Sequence, residues 1–318
     1  MKTKIVVTGS TGFVGRALAE CLISHSEYEL LLPVRKNVSF FSDNIQVLLP
    51  DQNMYARPIP LANVQTVVHL AGRAHILADH AQDPLDEFRK INVKATVDLA
   101  RQSILAGVKR FIFVSSIGVN GTQTIDGAFN ESSIPNPLAD YAISKLEAEK
   151  ALWELVKGSS MELVVIRPPL VYAGHAPGNF NRLLKLVSLG LPLPFASLKN
   201  SRSMIALENL VSFICLCIKH PFAANQLFLI ADAYPVSTAE IVTFLAEGMG
   251  RKSRLFPLAD PLFRFGAIML RKMAVYHQLC GSLIVDDRKA RDLLGWVPPL
   301  EITDALRLAG RNYTENKG

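Results

Sequence analysis

The sequence predicts a doubly wound parallel α/β sheet followed by a smaller C-terminal α/β domain. Three observations predict this arrangement. Short apolar runs alternate with helical patterns through the first half, three glycines spaced three residues apart follow the first run, and the alternation stops after Arg167. With 318 residues, of which 49% are hydrophobic and 19% charged, the chain has a globular composition and enough length to bury a sizeable core.

The first half contains short apolar or β-branched runs bounded by polar residues, Gly or Pro, which is the pattern of buried parallel strands. These runs are residues 4–8, 29–32, 45–49, 66–71, 111–115 and 163–167. Helical patterns lie between them at residues 12–23, 84–106 and 137–156. Repeated strand–helix–strand units with right-handed crossovers build a parallel sheet that carries helices on both faces.

After Arg167 the chain changes character. Residues 168–179, P-P-L-V-Y-A-G-H-A-P-G-N, are rich in Pro and Gly and predict a long loop. Residues 226–231 predict a strand that returns to the sheet. We therefore expect a first domain of residues 1–168 and 199–232, and a smaller domain of residues 169–198 and 233–318 over the strand ends.

Three glycines follow the first predicted strand, in V-V-T-G-S-T-G-F-V-G. At Gly9, Gly12 and Gly15, glycine permits a tight turn, close approach of the backbone to a pyrophosphate, and close packing of helix on sheet. The N-terminus of the following helix offers free N–H groups to the phosphates. A plain strand–helix turn is the alternative. The position in a βαβ unit favours a dinucleotide-binding first domain.

The end of the second predicted strand, L-L-L-P-V-R-K, bears on which dinucleotide is bound. An acidic residue there would hold the ribose 2′-hydroxyl of NAD. Val34 occupies that position instead, and Arg35 and Lys36 follow. Two cations suit a 2′-phosphate, so the sequence predicts NADP, with NAD as the alternative. A solvated basic loop is the plainer interpretation of the same residues.

Two further segments carry reactive side chains. One is V-S-S-I-G-V, where Ser115 and Ser116 end a predicted strand, and the other is Y-A-I-S-K in a predicted helix. Tyr141 and Lys145 are four residues apart and share one helix face. A nearby ammonium and the positive nicotinamide ring both favour the phenolate, so we expect Lys145 and the bound cofactor to lower the pKa of Tyr141.

These segments together resemble the extended short-chain dehydrogenase/reductase family, in particular nucleotide-sugar epimerases, dehydratases and reductases similar to UDP-galactose 4-epimerase. The resemblance extends over nearly the whole chain. It includes T-G-S-T-G-F-V-G, V-V-H-L-A-G, I-N-V-K-A-T, V-S-S-I-G-V, Y-A-I-S-K, I-R-P-P-L-V-Y and K-A-R-D-L-L-G-W-V-P. It implies a dinucleotide-binding first domain and a substrate-binding second domain.

The resemblance also implies roles for individual residues. Tyr141 would be the acid/base, Lys145 would hold the nicotinamide ribose, and Ser116 would hydrogen-bond the reacting sugar oxygen. The implied cofactor-binding residues are Gly9, Thr11, Gly12, Phe13, Val14, Gly15, Arg35, Asp51, Leu70, Ala71, Gly72, Asn92, Ser115, Tyr141, Lys145, Pro168 and Val171. The implied substrate-binding residues are Ser116, Asn179 and Arg202. The chain departs from the family pattern at the missing acidic residue and at Asn120, where tyrosine is common.

The expected reaction is hydride transfer at C4 of a UDP-sugar. Arg35 favours reduction of a UDP-4-keto-6-deoxy-N-acetylhexosamine in bacterial surface polysaccharide (O-antigen) biosynthesis. The alternative is a UDP-sugar 4-epimerase, including one that acts on a lipid-linked sugar. Ile117 and Gly118 stand where a 4,6-dehydratase typically has Asp-Glu, which disfavours that reaction. A non-catalytic NADP-sensing protein of the same fold is a second alternative, disfavoured because Ser, Tyr and Lys are all present.

Composition limits the partners. The net charge of +6 is spread without a dense basic run, which excludes a nucleic-acid groove, and the four cysteines lack metal-ligand spacing. The sequence predicts no metal site, no signal peptide and no membrane span, and hence a cytoplasmic protein; the resemblance implies a homodimer formed through the helices that begin at Pro84 and Pro137. Residues 263–275 predict a packing helix with solvated basic ends, and the alternative is an interfacial helix that contacts a membrane peripherally.

Overall fold

A parallel β-sheet forms the centre of the fold in a computed structural model that describes residues 2–49, 59–74, 83–125, 127–269 and 273–315. The strands of these residues are β1 (Thr3–Thr8), β2 (Tyr28–Val34), β3 (Gln46–Leu48), β4 (Val64–His69), β5 (Arg110–Val114), β6 (Glu162–Arg167), β7 (Leu170–Tyr172), β8 (Met204–Ala206) and β9 (Gln226–Leu229). Seven of them form one sheet in the order β3-β2-β1-β4-β5-β6-β9, and all neighbours are parallel. The doubly wound parallel sheet predicted from the sequence is confirmed.

Helices connect the strands and fill the second half of the chain. They are α1 (Phe13–Ile23), α2 (Pro84–Phe88), α3 (Ala95–Leu105), α4 (Asp140–Val156), α5 (Gly178–Ser188), α6 (Leu207–Lys219), α7 (Thr238–Gly248), α8 (Asp260–Met269), α9 (Met273–Cys280), α10 (Arg288–Leu294) and α11 (Ile302–Glu315). Short 3₁₀ turns occur at Asp43–Ile45, Ile117–Val119 and Pro221–Ala223. Within the described ranges, no helix combines the length and the apolar character needed to cross a membrane.

The sheet is covered by helices on both faces. Ile5 and Val7 of β1 belong to a buried cluster with α1 and α6. Val6, between them, belongs to the opposite cluster with Leu99 of α3 and Leu152 of α4. This alternation follows from the twofold side-chain period of a strand. Because both faces are buried, the ligand-accessible part of the sheet is the edge where the strands end.

A separate hydrophobic cluster joins α5, α7 and α11 to β7 and β8. It contains Phe180, Leu245 and Leu306 from the three helices and Tyr172 and Met204 from the two strands. The second part of the chain therefore has a core of its own, in keeping with a smaller second domain. The domain boundaries given above stay a prediction.

The prediction of a long loop over residues 168–179 is wrong in two places. Leu170–Tyr172 forms β7, and α5 already begins at Gly178. In β7, Leu170 pairs with Met204 and Val171 pairs with Ile205 of β8. The Pro and Gly residues mark the ends of these elements, while the strand depends on a partner far away in the chain.

Candidate active site

A cavity of about 1280 Å³ opens at the carboxyl edge of the sheet, where the chain leaves β1, β4, β5 and β6. The strand order reverses between β1 and β4, and ligands of doubly wound sheets bind at such a switch point. The residues predicted from the sequence that line this cavity are Gly9, Gly12, Phe13, Val14, Gly15, Leu70, Gly72, Ser115, Ser116, Tyr141, Lys145, Pro168, Val171 and Arg202. The fold thus brings most of the predicted site residues to one place.

The turn after β1 leaves no room for side chains at two of its glycines. Gly9 has a φ of +70°, and a Cβ there would lie 2.7 Å from the amide nitrogen of Ala71. A Cβ on Gly15 would lie 2.1 Å from the carbonyl oxygen of Gly9. Gly12 is the N-cap of α1, and no side chain caps this end or adds an acidic group to its first turn. The N–H groups that begin α1 are therefore available to an anion.

His69, at the end of β4, belongs to the site although the sequence analysis did not single it out. Its Nδ1 lies 2.7 Å from Oγ1 of Thr8, and its Nε2 lies 2.9 Å from Oγ1 of Thr96. Burial, with a smaller effect of Lys145, lowers the pKa of His69 to about 3, so the ring is neutral at physiological pH. The Thr8 hydroxyl also accepts a hydrogen bond from the amide of Ala71 (3.3 Å), which fixes the loop after β4.

Asn92 lies in a π-helical turn, Arg89–Lys94, between α2 and α3. Residues 84–105 are continuously helical, as their periodicity predicts, and the π turn lies within this helix. The Asn92 amide donates hydrogen bonds to the carbonyl of Arg73 (3.1 Å) and to Oγ of Ser144 (2.9 Å), and its oxygen accepts one from the Arg73 amide (2.7 Å). Such π turns occur mostly at functional sites. Here the turn places a polar side chain that ties the loop after β4 to α4.

The hydroxyl, phenol and amine predicted to react converge on the cavity. Tyr141 lies in the first turn of α4 and Lys145 one turn later. The Lys145 Nζ donates a hydrogen bond to the carbonyl of Val114 (2.9 Å), at the end of β5, and lies 6.0 Å from the centre of the Tyr141 ring. Ser116 caps the following 3₁₀ turn, where its Oγ accepts from the amide of Gly118 (3.1 Å). The end of β5 and the start of α4 thus hold the three groups together.

Burial controls the pKa values of this group in the chain alone. It raises the pKa of Tyr141 to about 12, so the phenol keeps its proton. In the chain alone, desolvation of the phenolate dominates, and the expectation that Lys145 and a bound nicotinamide together lower the pKa of Tyr141 stays a prediction. Burial also lowers the pKa of Lys145 to about 8, an effect that the carboxylate of Glu149 partly offsets.

A buried ion pair behind the site was not expected from the sequence. The Glu149 carboxylate accepts hydrogen bonds from the Ser115 hydroxyl and from Nε of Arg167 (3.0 Å). Arg167 also donates from Nη1 to the side-chain oxygen of Asn120 (3.0 Å). The two charged side chains are only 5% (Arg167) and 3% (Glu149) exposed. This network connects α4 to the ends of β5 and β6, and only the folded arrangement shows it.

Residues far along the chain from the glycine turn contribute polar groups to the cavity lining. Arg202 lines it and donates a hydrogen bond to the carbonyl of Gly281 (2.8 Å), and burial lowers its pKa. His277 of α9 also lines the cavity, and its Nδ1 lies 3.4 Å from Nε2 of Gln123. Gln123 and His277 were not among the residues predicted from the sequence. No local motif marks them, because the folded chain alone brings their segments together.

Residues 5–231 match the model of a protein family described as the NAD dependent epimerase/dehydratase family. The chain belongs to this family. The match includes the glycine turn, the Ser115–Ser116 segment and the Tyr141–Lys145 helix, which are the parts that form the cavity described above. The resemblance to extended short-chain dehydrogenases/reductases is confirmed.

Relatives of this epimerase/dehydratase chain extend over nearly its full length. A UDP-glucose 4-epimerase of Vibrio cholerae is 41% identical over 99% of this chain and 97% of its own length. An N-acetyl-alpha-D-glucosaminyl-diphospho-ditrans,octacis-undecaprenol 4-epimerase of Escherichia coli O157:H7 is 27% identical over 96% of this chain and 94% of its own.

Among solved structures, UDP-glucose 4-epimerase of Thermotoga maritima with UDP-glucose has a TM-score of 0.77 at 22% identity, covering 99% of both chains. UDP-glucuronic acid 4-epimerase of Bacillus cereus with NAD has a TM-score of 0.78 at 19% identity, covering 99% of this chain and 97% of that chain.

Several residues that the family resemblance assigns to ligand binding lie outside the cavity lining. They are Thr11, Arg35, Ala71, Asn92 and Asn179. Ala71 and Asn92 hold the backbone of the loop after β4, Arg35 is exposed at the end of β2, and the Asn179 oxygen accepts a hydrogen bond from Arg182 (3.3 Å). Asp51 lies outside the described residues. The ligand contacts of these side chains stay predictions.

The depressed pKa of Lys145 predicts a pH-dependent stability. An ammonium with a native pKa of about 8 loses its proton on folding at pH values between about 8 and 10.5, so the unfolded chain binds more protons there and stability rises with pH. We compare the free energy of unfolding of the parent protein with that of Lys145→Met. The difference should shift by about 3 kcal/mol in favour of the parent protein as the pH rises through this window. Urea unfolding at several pH values measures it. The exposed Lys150, replaced by Met, is the control, and a difference that stays flat with pH for Lys145→Met would contradict the argument.

Proposed function

We propose that this protein is a UDP-sugar 4-epimerase that works with a bound NAD. The observation that carries the proposal is the convergence of Tyr141, Lys145 and Ser116 on one cavity beside the glycine turn. The proposal is also supported by the 41% identity to a UDP-glucose 4-epimerase over almost the whole chain. Ile117 and Gly118 continue to disfavour dehydration, since that reaction needs further acid/base carboxylates at these positions.

The residues present fit a dinucleotide. Gly9 and Gly15 leave a turn into which no Cβ fits, and the uncapped start of α1 offers N–H groups to a pyrophosphate. Lys145, buried beside the end of β5, is placed to hold a ribose hydroxyl. The nicotinamide supplies a hydride acceptor that can also give the hydride back.

Tyr141 and Ser116 act on the proton and the oxygen of the C4 hydroxyl. Tyr141 takes the proton of the C4 hydroxyl as the C4 hydride departs, which leaves a ketone at C4. Ser116 donates a hydrogen bond to the same oxygen and supports its charge. The ketone must then turn its other face, and a cavity of about 1280 Å³ gives a hexose room to do so. Once a bound nicotinamide had given the hydride back to that face, Tyr141 would return the proton to the oxygen, which would give the C4 epimer and leave the reaction redox-neutral overall.

The direct test is incubation of the purified protein with UDP-glucose, and separately with UDP-N-acetylglucosamine, in the absence of added reductant. Formation of the corresponding 4-epimer supports the proposal. Inactivity towards both, together with NADPH consumption on a UDP-4-keto-6-deoxy-N-acetylhexosamine, would overturn it in favour of a 4-reductase. The homodimer expected from the sequence stays a prediction, which light scattering on the same preparation tests.

A 4-reductase that uses NADPH is the second candidate function. The observation that favours it is the pair Arg35 and Lys36, both exposed at the end of β2 where an NAD-binding chain typically has a carboxylate. A reductase takes hydride into a ready-made ketone and releases both products, so it needs a cofactor that exchanges with the pool. Cofactor preference therefore discriminates between the two candidates.

Arg35→Asp should lower the affinity for NADP relative to NAD by about tenfold or more, because it removes a charge-assisted contact to the 2′-phosphate and adds a repulsive carboxylate. Fluorescence titration with both reduced dinucleotides measures the ratio. Arg101→Asp, an exposed arginine of α3, is the matched control. An unchanged ratio in Arg35→Asp would remove the observation that favours the reductase.

A further inference from the structure

Helix α8 exposes a row of large apolar side chains. Leu262, Phe265, Ile268 and Met269 are between 52% and 68% exposed. Residues three and four apart lie on one side of a helix, so these four form a continuous outer surface, which we call the α8 face. Soluble monomers rarely leave such a contiguous apolar surface in water without a partner.

The opposite side of α8 is packed, so its apolar outer side is a fixed feature of the fold. The Phe263 ring lies 6.0 Å from that of Phe195 in the second domain and 5.7 Å from that of Tyr276 in α9. Phe263 packs against the cluster that holds α5, α7 and α11 together. The packing helix with solvated basic ends that was expected for residues 263–275 corresponds to parts of α8 and α9, with residues 270–272 outside the described residues, and the outer side of α8 is apolar.

The charge of this part of the sequence identifies the kind of partner. Asp260 is the first residue of α8, and after it no Asp or Glu occurs up to residue 285, whereas Arg264, Arg271 and Lys272 do. Arg264 is exposed next to Phe265. Apolar residues bordered by cations and free of acidic groups are typical of helices that lie in the interface of an anionic membrane.

Helix α8 packs against a helix that contributes to the lining of the active-site cavity. Helix α9, which contacts α8 through Phe263 and Tyr276, carries His277 and Gln278 into the cavity lining. A surface bound by α8 would therefore lie beside the opening through which a sugar enters. This position suits sugar diphosphates that are held in a membrane by a lipid chain.

We propose that the α8 face binds the surface of an anionic phospholipid bilayer and so brings the active-site mouth to the membrane. The binding surface itself is independent of whether the site epimerises or reduces its sugar. Insertion of Leu262 and Phe265 below the headgroups supplies the apolar contribution, and Arg264 contributes attraction to anionic lipids.

Flotation of the full-length protein with vesicles tests the proposal. We expect binding to vesicles of phosphatidylethanolamine and phosphatidylglycerol, weaker binding to phosphatidylcholine, and weakening by salt. The double variant Leu262→Ser/Phe265→Ser should reduce binding about tenfold or more, since two large side chains no longer leave water. The matched control is Leu105→Ser/Ile134→Ser, which removes two apolar side chains that are even more exposed, at 87% and 88%, elsewhere on the chain.

Other outcomes of these experiments would overturn the proposal or separate it from the proposed function. Wild-type protein that does not float with anionic vesicles, or equal loss in the control variant, would overturn the proposal. A change of oligomeric state in Leu262→Ser/Phe265→Ser by light scattering would overturn it too, because the α8 face would then bind a second copy. Turnover of a soluble UDP-sugar should be the same in all variants, and its loss in the α8 variant would place these residues in the active site instead. Vesicle binding by a protein without epimerase activity would sustain this inference while refuting the proposed function.

Discussion

Tyr141→Phe should lower the rate of 4-epimerisation by about 10²- to 10⁴-fold, the usual contribution of a positioned acid/base. The change removes the hydroxyl alone. The ring contact with Phe88, at 6.2 Å between centroids, and the Lys145 hydrogen bond to the Val114 carbonyl do not depend on that hydroxyl. Cofactor affinity should therefore stay within about twofold of that of the parent protein, since the proposed cofactor contacts are the glycine turn and Lys145.

Initial rates with UDP-glucose, together with the NAD content of each preparation, check this expectation. Tyr234→Phe, at an exposed tyrosine outside the cavity lining, is the matched control and should leave both quantities unchanged. Substantial turnover in Tyr141→Phe would show that another group moves the C4 proton. Loss of bound NAD with loss of activity would instead show that the tyrosine acts through binding.

The pKa of Tyr141 bears on whether this residue can accept the C4 proton at neutral pH. Burial raises it to about 12 in the chain alone, so a proton acceptor at neutral pH requires a further positive charge at the site. The positive nicotinamide ring supplies such a charge when it is bound. We therefore expect Tyr141 to titrate differently with and without NAD, which ultraviolet difference spectra of the two forms can show.

The parts of the fold that the sequence predicts well are those whose signal is local. The runs that became β1, β2, β4, β5 and β6 are recognised because buried parallel strands need continuous apolar residues. The turn from Gly9 to Gly15 is recognised because glycine is required residue by residue, and Tyr141 and Lys145 because helical spacing places them on one face. Each of these observations concerns residues within about ten positions of one another.

The parts that the sequence does not predict depend on pairs of distant segments. The short strand β7 exists through its pairing with β8, and the Glu149–Arg167 pair joins a helix to a strand that follows it. The raised pKa of Tyr141 in the chain alone was not predicted, because charge spacing can be read from sequence while burial cannot. An interfacial helix at residues 263–275 was only the alternative interpretation, since packing, and not the sequence, shows that the side of α8 with Phe263 faces inwards.

Arg167→Met should lower the free energy of unfolding by roughly 3–5 kcal/mol, the usual cost of leaving one member of a buried ion pair without its partner. The Glu149 carboxylate would keep only the Ser115 hydroxyl as a donor among the side-chain contacts described for it. Met keeps the unbranched stem of Arg up to the position of Nε, so the space left by the rest of the guanidinium adds to the loss. Urea unfolding followed by tryptophan fluorescence measures the loss.

The matched control is Lys157→Met, which breaks the exposed pair with Glu154 and should cost less than about 1 kcal/mol. The double variant Arg167→Met/Glu149→Leu separates charge from packing. If the loss in Arg167→Met comes from an unpaired buried carboxylate, removing that carboxylate should restore much of the stability, because an apolar replacement of both partners is often nearly neutral. A double variant no more stable than Arg167→Met would show that Arg167 stabilises the fold through Asn120 and its own packing instead.

Since Ser115 precedes Ser116, the double variant should also turn over more slowly even where it folds, because the Ser115 hydroxyl loses the carboxylate that holds it.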